Sequence, residues 1–138
     1  NFNVAALEAS DTFGSSGVAL DGTRLVVSAA NGDGAGNSSS ASGEVYLFTF
    51  TDSAFNGAKL EATIGKGYAG KNFDVSNQLE AGDWFGSAVS LDGTRLAVGA
   101  VNDDGAGNSA ANSGAVYLFT FADTFFSSPK LEGIIGKG

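Results

Sequence analysis

The side chains best suited to hold a cation sit in two glycine-rich loops. Asn31, Asp33 and Asn37 lie in the first, and Asn102, Asp103, Asp104 and Asn108 in the second. Calcium takes about six to eight oxygen ligands, and short Asn and Asp side chains interleaved with glycine carbonyls can supply them. The charge is thin for a tight site, with one carboxylate in the first loop and two in the second. The same residue types also close turns on their own backbone. Weak Ca²⁺ binding and self-capped turns both remain open readings of these loops.

The catalytic inventory is poor. There is no His and no Cys, which removes His-activated nucleophiles, thiol nucleophiles and thiolate metal sites. Asp11, Asp21, Asp83 and Asp92 offer a formal paired-carboxylate glycosidase. Each of them recurs with a counterpart in the other half of the chain, however, and that points to structural duty in both halves. A non-enzymatic protein is expected, with no cofactor beyond the candidate Ca²⁺.

The recurrence is general. LDGTRLVVSAANGDGAGN at Leu20–Asn37 returns as LDGTRLAVGAVNDDGAGN at Leu91–Asn108, 71 positions later. VYLFTF at Val45–Phe50 returns at Val116–Phe121, and KLEATIGKG at Lys59–Gly67 returns as KLEGIIGKG at Lys130–Gly138. Upstream the offset becomes 72, so the first copy carries an extra residue near Ser16–Gly17. A fixed period of this size marks a supersecondary unit that stacks on copies of itself. The expected division is a first repeat over 1–71 and a second over 72–138.

Within the second copy, Phe85–Leu91 and Arg95–Val101 read as strands around an Asp92–Gly93 turn of the type I′ kind. Arg95–Val101 shows almost no polar alternation and is expected to be covered on both faces. Ala115–Ala122 alternates Tyr117, Phe119 and Phe121 against Val116, Leu118 and Thr120. Lys130–Ile135 makes a fourth strand. The first copy gives Phe13–Leu20, Arg24–Ala30, Glu44–Thr51 and Lys59–Ile64. No helical period occurs. The prediction is all-β: two four-stranded antiparallel blades of the β-propeller type, in tandem and open, since closed propellers need about four to eight blades. The aromatic stripes are assigned to core packing, and Arg24 and Arg95 to pairing with a nearby carboxylate.

Phe85–Gly86, LAVGAV at Leu96–Val101 and GAVYLF at Gly114–Phe119 resemble the FG-GAP repeat, the blade of integrin-α-like β-propellers. The connection at Ile64–Asn77 is similar to the tandem versions in large bacterial secreted and adhesin-like chains. The resemblance implies an extracellular scaffold for adhesion or recognition. It does not carry over the family's calcium loop, because LDGTRL at Leu20–Leu25 and Leu91–Leu96 is a tight hairpin with one carboxylate.

A net charge of −8 argues against nucleic acid and anionic membrane surfaces. No apolar run reaches the ~18–20 residues of a membrane span. A chain that starts at Asn1 is expected to be a processed product or a piece of something longer. The expected partners are identical chains or neighbouring repeats, with cell-surface glycans or proteins as further candidates. The favoured reading is a fibre or adhesin scaffold built by head-to-tail stacking of blades. The alternatives are a ligand-binding, lectin-like propeller completed by oligomerisation or by further blades of a longer chain, and a blade pair attached to an enzymatic domain elsewhere. Asn37-Ser38-Ser39 fits a glycosylation pattern that its copy, Asn108-Ser109-Ala110, lacks.

Overall fold

The computed structural model describes residues 1–138, the side chain of Ala106 excepted. It is all-β. The first sheet runs β1 (Val18–Asp21), β2 (Arg24–Ala29), β3 (Glu44–Thr49) and β4 (Lys59–Gly65) as an antiparallel meander, and β5 (Phe73–Asp74) adds to the free edge of β4 in parallel. The second sheet is a meander of β6 (Phe85–Asp92), β7 (Arg95–Ala100), β8 (Ala115–Thr120) and β9 (Lys130–Gly136). Neither sheet closes. One short 3₁₀ turn covers Ala106–Asn108.

The copies fold in the same register. Val27 faces Tyr46 as Val98 faces Tyr117, and both sheets shift register between the Leu and Phe of VYLFTF. Repetition of the sequence has become repetition of the backbone.

Three expectations need correction. The hairpin turns are Gly22–Thr23 and Gly93–Thr94, because Asp21 pairs with Arg24 and Asp92 with Arg95 inside the ladders. Only the glycines take positive φ, 59° and 55°, whereas a type I′ turn needs it at both central positions. The first strand of the first copy begins at Val18, not Phe13, because the extra residue near Ser16–Gly17 loops out between Gly14 N–H→Ser28 O and Ser28 N–H→Gly17 O. Coverage on both faces holds for β2 and fails for β7, in which Leu96, Val98 and Ala100 are buried while Ala97 and Gly99 are half-open. Among the described residues nothing covers the outer face of β7 as the second sheet covers that of β2.

The sheets stack face to face. Val26, Val45, Leu47, Ala62 and Ile64 of the first sheet meet Leu96, Val98, Tyr117, Phe119 and Phe121 of the second in one core. The aliphatic face of one blade therefore receives the aromatic face of the next. The first blade's own aromatic face, Tyr46 and Phe48, packs under Val4 and Leu7 of the N-terminal segment. Both stripes are core, as their alternation predicts, except that Phe50 is half-buried outside the core and meets Phe55 edge-on at 5.1 Å.

Candidate functional site

The carboxylates of the two Asn/Asp loops are turned inward onto the chain itself. Asp33 Oδ1 accepts the Ala41 N–H at 2.8 Å, and Asp104 Oδ1 accepts the Asn112 N–H at 2.6 Å. Asp103 accepts the Gly105 N–H at 2.7 Å and the Tyr117 hydroxyl at 2.5 Å. The Asn102 amide donates to the Gly82 carbonyl at 3.2 Å, and the Asn108 amide donates to Glu80. Asn37 and Asn108 take the same left-handed conformation, with φ of 55° and 52°, and Asn31 is half-buried at the loop entry. Among the described residues no group of three or more His, Cys, Asp or Glu is placed to hold a metal ion. Asp103 closes an Asx turn on Gly105, and Asp33 and Asp104 each tie the start of their loop to an N–H eight residues on.

Below each loop lies a buried tyrosine bonded to a carboxylate. Tyr117 uses Asp103. In the first blade the residue matching Asp103 is Gly32, and Tyr46 donates instead to Glu44, whose second oxygen accepts the Tyr68 hydroxyl at 2.6 Å. Glu44 fills the space over Gly32, where a Cβ would lie 2.8 Å from its Cδ. Its counterpart, Ala115, leaves room for Asp103. The acceptor is thus kept in both blades, supplied by the start of β3 in the first and by the loop after β7 in the second. Burial raises the Glu44 carboxyl above the ordinary range, with the two tyrosine hydroxyls opposing. Burial also raises the phenols of Tyr46, Tyr68 and Tyr117. Comparing the copies position by position exposes this trade, but only the structure shows that the two positions touch.

Asp83 is the other carboxyl shifted upward. Burial, followed by the charges of Asp103, Asp104 and Glu80, pushes its carboxyl up to about 6, against a bond from the Glu80 N–H. The segment that leads from one blade to the next is held here by the Asn102 N–H on the Asp83 carbonyl, the Asn102 amide on the Gly82 carbonyl and the Asn108 amide on Glu80.

That junction is the most elaborate contact in the molecule. The N–H groups of Gly82, Trp84 and Phe85 donate to the carbonyls of Ser40, Ala41 and Ser42 at 2.9, 3.2 and 3.0 Å. Gly43 pairs with Phe85 so closely that any Cβ would strike the Phe85 backbone. At the far end, Asp21 accepts the Gly93 N–H at 2.9 Å, and Arg24 donates to both Asp21 and the Gly93 carbonyl. Arg24 is buried by this clasp. Arg95, its counterpart, pairs with Asp92 in open solvent. Both arginines find a carboxylate, as expected, but only one of them grips a second blade.

The sequence profile of the FG-GAP repeat matches residues 7–48 and again residues 75–119. The chain belongs to the FG-GAP repeat family. The matches open at Leu7 and Val75, before the first strand of either sheet, so an FG-GAP unit takes in the segment that lies over its aromatic face as well as the strands. No curated protein matches the chain.

Each FG-GAP blade here has one aromatic and one aliphatic face, and the second blade's aliphatic face is uncovered. Val101, Val116 and Ile135 are 53, 38 and 64% exposed, while their counterparts Ala30, Val45 and Ile64 are 2, 0 and 0% exposed. This face and the opposite end of the molecule form the candidate interaction site. Sequence reasoning gave the stripes but not which side of the pair would be left open.

Proposed function

We propose that this chain is a non-enzymatic, extracellular structural repeat unit that builds a filament or adhesin scaffold by head-to-tail stacking of its blades. One observation carries the reading: the same aliphatic positions are fully buried in the first blade and open in the second. Apolar surface of this kind is stabilised by about 25 cal/mol per Å² when covered, and a contiguous patch that matches an existing interface marks an association surface. The acidic, cysteine-free composition suits a secreted protein, and the capped loops and symmetric placement of the acids favour structure over catalysis. Sedimentation velocity across a concentration series, followed by negative-stain microscopy, tests the reading. Open assemblies that lengthen with concentration are expected. A chain that stays monomeric would refute it, as would discrete closed rings that bind a glycan array.

A further inference from the structure

The two ends of the molecule are separate halves of the junction that it builds once inside itself. Seven of the eleven large apolar side chains exposed among the described residues belong to these halves. At the N-terminal end, Phe2, Phe13, Val18 and Leu20 occupy the positions of Phe73, Phe85, Val89 and Leu91, which pack into the junction core. At the C-terminal end are Val101, Val116 and Ile135. The N-terminal segment already holds the junction's pose. Phe2 meets Phe48 edge-on at 5.7 Å as Phe73 meets Phe119 at 5.8 Å, and Phe13 meets Tyr46 at 5.5 Å as Phe85 meets Tyr117 at 5.2 Å. Thr12 shares the left-handed φ of Trp84, 58° against 57°.

Resting on the stacking reading above, we propose that the outer face of the second blade binds the N-terminal blade of a second copy by repeating the internal junction contact for contact. Asp92 and Arg95 then close on the Gly22 turn of that copy, as Asp21 and Arg24 close on Gly93. Gly114, whose nearest non-neighbouring atom to an added Cβ is the Val101 carbonyl at 3.3 Å, receives the Phe13 backbone as Gly43 receives Phe85. The exposed carbonyls of residues 111–113 take the amides that match those of Gly82, Trp84 and Phe85. The free edge of β9 accepts Phe2–Asn3 in parallel, as β4 accepts β5. The contact is heterologous, so each copy offers one half and retains the other, and growth does not end in a dimer.

The chain has no cysteine, so introduced thiols report cleanly. A Cβ at Gly17 would lie 2.9 Å from Val89 Cγ2 across the internal junction, and Gly17 and Val89 correspond to Ala88 and Val18. Chains carrying V18C mixed with chains carrying A88C are expected to form a disulfide-linked dimer under mild oxidation. Either variant alone should form none, and the V18C/A88C double variant should form a ladder. Both positions are exposed, so the fold is preserved. Sedimentation of the unaltered chain decides the broader reading separately. A monomer at every concentration overturns both proposals. Self-association without the Val18–Ala88 link, or with A88C linking to itself, overturns this junction alone. Arg95→Ala is expected to weaken association about tenfold, and Gly114→Ala by more, with each monomer still folded by circular dichroism. Unchanged association of both variants would also overturn the junction.

Discussion

At the scale of single residues, the two blades solve the same problem with different side chains. A buried tyrosine hydroxyl needs an acceptor, and the acceptor comes from Glu44 in one blade and from Asp103 in the other. Gly32→Asp alone places a side chain into Glu44, and Glu44→Ala alone orphans the hydroxyls of Tyr46 and Tyr68. Each single change is expected to cost about 1–3 kcal/mol. The double variant, which copies the second blade, should cost less than their sum, and urea denaturation of the four proteins measures the coupling. Additive losses would show that the two sites act independently. Asp83 gives a pH signature. Its folded pKa of about 6 lies above the ordinary 3.8, so its stabilising share is complete below about pH 4 and is lost as pH rises through 6. Asp83→Asn should match the parent in Tm near pH 3.5 and exceed it above pH 6. The loop carboxylates are already occupied by backbone N–H groups, so a chelator is expected to leave Tm unchanged. A shift of several degrees would instead show a cation in these loops. None of this was legible from one copy, because sequence carries no record of which buried groups meet across a sheet.

At the scale of elements, the strands were largely legible, because VYLFTF alternates at the strand period and the Val/Ala/Leu runs are short apolar stretches bounded by turn signals. The turns were off by one residue, because the Asp of each DG pair is drawn into the ladder by its bond to the Arg three positions later. Burial was legible for one face only. β4 and β9 are near-copies, yet Ile64 is enclosed and Ile135 is not. Ile64→Ala is therefore expected to cost about 2–4 kcal/mol, with a cavity term, whereas Ile135→Ala should change monomer stability by less than about 0.5 kcal/mol. Chemical denaturation at low concentration checks both. Equal losses would mean that the outer face of the second blade is already covered.

At the scale of the whole molecule, the repeat predicted stacking but not its polarity. The direction emerges only when the aliphatic face of one blade is seen against the aromatic face of the next, with the N-terminal segment lying where the inter-blade connection lies in the second copy. The hexapeptide Val-Tyr-Leu-Phe-Thr-Phe then becomes an internal control. One occurrence is walled on both faces of its sheet, and the other on one. Composition, propensity and hydrogen-bond register are shared, so unequal amide deuterium exchange between Val45–Phe50 and Val116–Phe121 reports the missing wall alone. In the isolated chain the second copy should exchange faster. As chains add to one another the two rates should converge, leaving a difference only at the growing tip.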